Sequence, residues 1–192
     1  ANEALHFPAI ELFVERARDA NASFTLRDAD VDTVSTICRK LDGVALAIEL
    51  AAARTDAFSL TELLVQLDNR FHLLRGRRAG PARQRALAAL IDWSYDLLSE
   101  TEAATMRRLS VFAGAFDLDA AFSVASDEEI ERMQVVDDLA SLVNKSLVAA
   151  EARNSNVSYR MLESTQAYAF AKLSDDRELH AVRVRHAEYS YQ

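Results

Sequence analysis

Apolar residues recur along most of the chain at the i, i+3, i+4, i+7 spacing that places side chains on one face of an α-helix. Three Ser-x-x-Glu sequences, which begin at Ser59, Ser99 and Ser126, precede such stretches. In a capping box the Ser hydroxyl accepts a hydrogen bond from the N3 amide, and the Glu side chain reaches back to the cap amide. We therefore predict a helix after each serine, the third spanning about residues 128–144.

Toward the C-terminus the apolar pattern changes from the helical period to a period of two. Val157, Tyr159 and Met161 alternate with other residues, and a polar stretch at 153–156 precedes them. This pattern predicts a short β-hairpin. Ser164 is then expected to cap another helix. Three helices, a hairpin and a closing helix follow one another in the order found in a winged helix.

Gly76, Gly80 and Pro81 interrupt the helical pattern together and mark the best domain boundary in the chain. The sequence therefore predicts a mainly α fold. Its four segments are a helical subdomain at 1–75, a linker at 76–82, a winged-helix subdomain with one short hairpin at 83–173, and the start of a further helical module at 174–192. Trp93 has apolar helical neighbours, and we predict that it is buried at the junction between the two subdomains.

Composition agrees with a helical protein that has few turns. Half of the 192 residues are hydrophobic, and glycine and proline are scarce at 4 and 2 residues. The single cysteine, Cys38, lies on an apolar helical face, so we predict a buried, reduced thiol and a cytoplasmic location. No run approaches the ~18 apolar residues of a membrane span, and we expect no membrane partner.

Charge is distributed unevenly, with a net charge of −8 but six arginines and no acidic residue in segment 70–85. Phosphate contact requires clustered cations, so the acidic remainder argues against an extended nucleic-acid surface. The predicted helix 128–144 is itself mostly acidic, and we expect no direct DNA contact from it. For the arginine segment a solvated linker, contacts with phosphates or an acidic protein surface, and contacts with DNA remain open. The candidate side chains are Arg75, Arg77, Arg78, Arg83 and Arg85.

The sequence contains few residue patterns that would indicate an enzyme active site. The four histidines are scattered, and one cysteine cannot supply a thiolate cluster for a metal. No Gly-x-x-x-x-Gly-Lys-Ser/Thr phosphate loop occurs in the 192 residues. We therefore predict no catalytic residue, no metal ligand and no cofactor bound by this chain alone.

Four blocks of sequence resemble the signal-transduction ATPases with numerous domains (STAND or NB-ARC-like ATPases), a family that includes large bacterial transcriptional regulators. The first block, at 41–54, is LDGVALAIELAAAR, where the family has LDGLPLAIELAAAR. The other blocks, in the family's order, are WSYDLL at 93–98, LSVFAG at 109–114 and LVNKSLV at 142–148. The resemblance covers roughly residues 35–173. It implies that the helical subdomain is the family's lid, followed by its winged helix.

The resemblance also implies where nucleotide would lie in a whole protein of this kind. Gly43, Val44 and Ala45 occupy the family's Gly-x-Pro motif, whose proline lies near the adenine of bound nucleotide. Ala45 replaces that proline, so the rigid ring contact is lost. Leu162 stands where eukaryotic relatives carry a histidine that contacts ADP, and leucine has no donor. Considered without the resemblance, residues 44–55 are a helix of the hydrophobic core.

The expected function follows from the resemblance. The chain would be the regulatory part of a nucleotide-switched bacterial transcriptional regulator, and the full-length protein would be a slow NTPase switch that binds ATP or ADP. Its expected partners are a nucleotide-binding core and C-terminal helical repeats of the same longer chain, and a second copy in an activated oligomer. The alternative is a stand-alone winged-helix module of a transcription factor that binds DNA or another protein.

Overall fold

The computed structural model describes residues 1–74, 82–128, 130–153, 156–175 and 178–191. The chain forms two compact units, Ala1–Ser94 and Tyr95–Gln192. Both are mainly helical, and the second contains a two-stranded antiparallel hairpin. The predicted fold class, mainly α with a winged helix and one short hairpin, is confirmed. Within the described part of the chain, no helix combines the length and apolar character needed to cross a bilayer.

The first unit is built from helices whose ends follow the sequence signals closely. The helices are α1 Pro8–Ala20, α2 Val31–Lys40, α3 Ala45–Ala52, α4 Leu60–Leu74 and α5 Ala82–Asp96, with α5 continuing two residues past the division. Pro8 opens α1 at a position where its missing amide hydrogen costs nothing. The Ser59 capping box is confirmed, because the Ser59 amide donates to Glu62 at 2.9 Å and the Glu62 amide donates to the Ser59 hydroxyl at 3.3 Å.

The core of the first unit is apolar and contains many small side chains. Helix α1 packs against α3 and the short 3₁₀ turn Ala53–Asp56, while α2 packs against α1 and α4. Phe13 and Leu50 are fully buried, and the alanines at 47, 51 and 52 let the helix backbones approach closely. Cys38 is buried as predicted, and burial raises the pKa of its thiol to about 11.

The second unit has the element order of a winged helix. Its elements are α6 Glu100–Leu109, α7 Leu118–Ala125, α8 Arg132–Asn144, β1 Ala149–Arg153, β2 Asn156–Arg160, α9 Glu163–Asp175 and α10 Leu179–Ser190. The strands pair in antiparallel register, with Ala150 opposite Tyr159. Phe116, just before α7, forms an isolated β-bridge by exchanging two backbone hydrogen bonds with Tyr159, at 2.8 and 2.9 Å. This bridge ties the start of α7 to the hairpin.

Two predicted helix starts in this unit are wrong. Ser126 ends α7, where its hydroxyl donates to the Phe122 carbonyl, and α8 begins at Arg132 after Glu131. The Asp127 carboxylate accepts the Ile130 amide at 2.9 Å, so Asp127 is engaged ahead of the helix and α8 starts only after Ile130. Ser164 likewise lies inside α9, one residue after the helix has begun. The Ser99 capping box of α6 is confirmed.

The predicted further module, 174–192, lies within the second unit. Helix α10 packs against α7, and its Val182 is fully buried. The Arg185 Nε atom donates to the Val124 carbonyl at 2.9 Å. Whether α10 also begins another helical module stays a prediction.

Candidate functional site

Helix α8 occupies the position of the second helix of a helix-turn-helix, after α7 and before the hairpin. It packs against α6 and α7 through Val135, Leu139 and Leu142, which are buried. Its outward face carries Met133, Asp137, Ala140 and Asn144, which are exposed, while Arg132 and the preceding residue Glu131 are exposed at its N-terminal end. Met133 is a large apolar side chain with 70% of its surface exposed. The outward face therefore carries one carboxylate, no cationic side chain and an exposed apolar residue.

Three described cationic side chains on or next to α8 and the hairpin, Arg132, Lys145 and Arg160, lie beside carboxylates. Arg132 lies 3.7 Å from Asp119 and also stacks on the Phe122 ring, 4.4 Å from its centroid. The Lys145 ammonium lies 2.6 Å from Glu102. In the hairpin the Arg160 Nε atom lies 3.0 Å from a Glu151 oxygen. These pairs reduce the positive potential that a DNA phosphate would meet at this surface.

Asp138 contributes to the acidic sequence of the predicted helix 128–144, but the structure buries it. It is 2% exposed and accepts hydrogen bonds from Thr105 at 2.8 Å, Thr101 at 3.1 Å and Gln134 at 2.8 Å. The first two donors lie on α6, so this carboxylate attaches α8 to α6. A buried carboxylate is tolerated because three donors replace its water.

Glu102 makes a second attachment between the same two helices. Its carboxylate accepts hydrogen bonds from Ser141 and Lys145, near the end of α8, as well as from the Ser99 amide. Burial opposes ionisation of this group, but the hydrogen bonds from Lys145 and Ser141 outweigh it and hold the pKa of Glu102 below its usual value. Together with Asp138 it fixes how α8 lies on the domain.

A third polar cluster, which the sequence analysis missed, joins α6 to the start of α10. The Arg108 guanidinium is nearly buried and contacts Glu178 at 2.7 Å, Asp127 at 2.7 Å and the Ala125 carbonyl at 2.7 Å. Arg107 binds the other Glu178 oxygen at 2.8 Å. The adjacent arginines at the end of α6 were the available signal, but Glu178 lies 70 residues away from Arg108 along the chain.

The predicted nucleotide-proximal residues lie at the surface of the first unit. Asp42 and Gly43 have positive φ values of 55° and 67°, which turn the chain sharply between α2 and α3. Nothing lies within 4 Å of a Cβ placed on Gly43, so the positive φ rather than lack of space favours glycine there. Ala45 is exposed at the first position of α3, whereas Ile48 is buried. The segment that begins at Gly43 is thus exposed at its start and buried from Ala47 onward on its inner face.

Trp93 is buried, with 3% of its surface exposed. Its ring lies 5.6 Å from that of Phe58, between centroids, in the first unit. The predicted role at the junction stays a prediction. Arg75, Arg77 and Arg78 lie outside the described residues, as do the side chains of Arg83 and Arg85, so the interpretations of the arginine segment stay open.

Comparison with known proteins agrees with the arrangement of the second unit. Residues 98–174 match the family model of the winged helix-turn-helix domain. Over 183 residues, or 94% of its length, the chain is 46% identical to an uncharacterized protein of Mycobacterium tuberculosis and to one of Mycobacterium bovis. Over 182 residues it is 44% identical to a putative HTH-type transcriptional regulator of Mycobacterium tuberculosis.

The chain spans only part of these relatives. It covers 47% of the uncharacterized proteins and 20% of the HTH-type regulator. The helix order, the paired hairpin with its Phe116 bridge and the family match agree on the nature of the second unit. Residues 98–174 are therefore a winged helix-turn-helix domain, in a chain homologous to a putative HTH-type transcriptional regulator.

Proposed function

We propose that this chain is a regulatory module of a larger bacterial transcriptional regulator, and that its winged helix-turn-helix domain packs against protein rather than reading DNA. The homology to a putative HTH-type regulator supports the regulatory context. The relative is about five times longer than the segment it shares with this chain, which leaves room for other domains in such proteins. The proposed partners are a nucleotide-binding core and helical repeats of one longer chain, and a second copy in an activated oligomer.

The observation that carries the proposal is the electrostatics of α8. A recognition helix needs cationic or amide side chains directed at phosphates and base edges. Here the outward face presents Asp137 and no cationic side chain, and Arg132 lies beside Asp119 and the Phe122 ring. Lys145, just after the helix, is engaged by Glu102. DNA approaching this face would meet a carboxylate and no unpaired cation, whereas a protein surface could complement both Asp137 and the exposed Met133.

The nucleotide part of the proposal concerns the turn before α3. Gly43, Val44 and Ala45 are accessible there, and the amides of the first turn of α3 have no intrahelical acceptor. In the proposed regulator these residues would lie beside nucleotide held by the core, and the winged helix would move with the nucleotide state. The chain alone would not hydrolyse ATP, since the phosphate loop and its lysine would come from the core.

The DNA arm of the proposal is tested by selecting bound sequences from a random duplex pool at physiological salt. We expect no enriched motif with the 192-residue chain. A matched variant, Glu131→Gln with Asp137→Asn, removes two exposed carboxylates without touching buried Asp138, and should raise only sequence-independent binding. A reproducible motif that is lost when Met133 and Asn144 are changed to Ala would instead establish the DNA-binding alternative.

The nucleotide arm has two measurements. Titration calorimetry of the 192-residue chain with ATP and ADP should give no dissociation constant at or below ~10 μM, which corresponds to roughly −7 kcal/mol. In a longer product of the same gene, Ala45→Pro should tighten ADP binding, while the exposed control Ala57→Ser should not. The nucleotide switch would be refuted if the longer product lacked a phosphate loop. It would also be refuted if Ala45→Pro left the ADP affinity of that product unchanged.

A further inference from the structure

Helix α10 lies beyond the residues that match the winged helix-turn-helix family, which end at 174, yet it belongs to the same folded unit. It packs directly against α7, the helix that precedes α8 in the helix-turn-helix. Val182 of α10 is fully buried, and the His186 ring meets the Phe112 ring edge-on, with 5.0 Å between their centroids. The chain therefore adds a helix directly to the helix-turn-helix of this domain.

Polar contacts hold α10 near both ends of α7. The Arg185 Nε atom donates to the Val124 carbonyl, next to the last residue of α7. At the other end, the Tyr189 hydroxyl donates to the Asp117 carboxylate at 3.4 Å, and the same carboxylate caps α7. The position of α10 is thus fixed along α7 rather than at a single point.

Arg108, on α6, connects the start of α10 to the segment between α7 and α8. Its side chain is only 5% exposed. The guanidinium binds Glu178 just before α10, Asp127 between α7 and α8, and the carbonyl of Ala125 at the end of α7, each at 2.7 Å. Because a guanidinium is a rigid planar fork, it constrains the positions of these three partners relative to one another.

The path continues from Asp127 to the start of α8. One oxygen of this carboxylate lies against Arg108, and the other accepts the Ile130 amide at 2.9 Å. Ile130 is buried, and α8 begins two residues later. Ion pairs and hydrogen bonds therefore lead without a break from Glu178, at the start of α10, to the residue that precedes the start of α8.

The charges of the cluster make it sensitive to the position of α10. Arg107 binds the second oxygen of Glu178 at 2.8 Å, so a single carboxylate at α10 serves two guanidiniums of α6. Desolvation and repulsion from Arg108 lower the pKa of Arg185, which shows that these cations lie close together. If α10 moved away, Arg108 would lose one of its two carboxylates. A buried charge that loses a partner is costly, and a shift of Arg108 together with Asp127 would relieve that cost.

We propose that α10 is a strap that controls the α7–α8 connection and the first turn of α8 through Arg108. Displacement of α10 would withdraw Glu178, and Arg108 would then shift together with Asp127. The first turn of α8, which carries the exposed Met133, would move with them. The later turns would stay in place, because Asp138 attaches them to α6. The strap goes beyond the proposed function and does not depend on whether α8 meets protein or DNA.

Hydrogen exchange of the 192-residue chain, measured by mass spectrometry, tests the strap with Glu178→Gln. Loss of this charge should speed exchange both in α10 and in the α7–α8 connection by about fivefold or more, the lower end of typical coupling between sites. Residues 136–144 of α8 should exchange as in the parent. Glu188→Gln, which changes an exposed carboxylate on α10, is the matched control and should have no effect.

Two results with Glu178→Gln would overturn the proposal. Faster exchange in α10 alone would show that α10 moves without affecting the helix-turn-helix. Unchanged exchange in α10 would show that Glu178 does not hold the strap.

The reverse experiment uses Asp127→Asn, which alters no residue of α10. Coupling between two sites is reciprocal, so this change should also speed exchange in α10. Asparagine keeps a side-chain acceptor for the Ile130 amide, so the start of α8 should still form. Asp137→Asn removes an exposed carboxylate from α8 and is the matched control. Exchange in α10 that did not respond to Asp127→Asn would refute the strap. Acceleration that was uniform over the second unit would also refute it, because the cluster would then supply only global stability.

Discussion

The two units stabilise their helices in different ways. In the first, α1 and α3 meet through buried aromatic, aliphatic and alanine side chains, and the ion pair between Lys40 and Asp68 lies at the surface. In the second, α6 is attached to α8 by Asp138 and Glu102, and to α10 by Arg108. The first unit should therefore be sensitive to lost volume and the second to lost charge partners. A helix attached through a few polar contacts can also be repositioned by changing them.

The largest effect is expected for Trp93→Ala. Removing a buried indole that packs on Phe58 should lower the free energy of unfolding by ~3–5 kcal/mol through lost contacts and a cavity. Urea denaturation followed by circular dichroism measures it. The exposed control Phe7→Ala should change stability by less than ~0.5 kcal/mol. An effect that small at Trp93 would contradict its burial and point to a partner-binding side chain.

Arg108→Met should be next, at about 2–3 kcal/mol. That is below the ~3–5 kcal/mol of a fully buried pair, because Glu178 keeps Arg107 and is partly exposed. A double-mutant cycle with Glu178→Gln isolates the coupling between the two side chains. Arg160→Met removes a surface pair of the same unit and should cost under ~1 kcal/mol. Equal losses of unfolding free energy for Arg108→Met and Arg160→Met would contradict the expected difference between a buried and a surface ion pair.

Asp138→Ala should cost about 2 kcal/mol, because Thr101, Thr105 and Gln134 would lose their shared acceptor in a buried place. The adjacent Asp137 is exposed, so Asp137→Ala is a matched control expected to stay within ~0.5 kcal/mol. Thermal unfolding of the two variants side by side measures the difference. If Asp137 proved the more costly substitution, the orientation of α8 would be wrong.

Acid should weaken the second unit through Glu102. Because the folded-state pKa of this group is lowered, its stabilisation is present above the unfolded pKa of about 4.5 and is lost as pH falls through the folded value. The stability difference between the parent and Glu102→Gln should therefore shrink between pH 6 and pH 3. Urea midpoints across that range measure it. If the stability difference between the parent and Glu102→Gln grew as the pH fell, the pKa of Glu102 would have to be raised in the folded state rather than lowered.

The smallest effect is a gain. Ala45→Pro places proline at the first position of α3, where the backbone amide makes no intrahelical hydrogen bond that proline would remove. Val44, the residue before it, already has the extended backbone that a following proline requires, with φ −70° and ψ 113°. The substitution should stabilise the chain by about 0.4–1 kcal/mol by restricting the unfolded state. Ala51→Pro, further along the same buried helix, should instead destabilise it strongly, because proline there removes an intrahelical hydrogen bond. A loss at Ala45 would mean that the turn is not as described.

Local sequence patterns predicted what local contacts determine. The capping boxes at Ser59 and Ser99, the start of α1 at Pro8 and the hairpin each depend on residues within a few positions of one another. The start of α8 failed because Asp127 is committed to the Ile130 amide and to Arg108, 19 residues earlier. The sequence around Ser126 gives no sign that Asp127 makes these two contacts.

The candidate site was predictable in part for the same reason. An acidic helix before a hairpin is visible in the sequence, but the burial of Asp138 depends on donors 33 and 37 residues away. Periodicity gives the face of a helix, whereas the partner of that face depends on the tertiary fold.

Cys38 gives the first unit a built-in reporter. It is the chain's single cysteine, its thiol donates to the Ala9 carbonyl at 3.4 Å, and its pKa of about 11 leaves very little thiolate at neutral pH. A thiol reagent can therefore modify it only when α2 separates from α1, and the modification rate measures how often that happens. Because the second unit has no cysteine, the same reaction leaves that unit unmarked. One chemical step thus distinguishes opening of the first unit from events elsewhere in the chain.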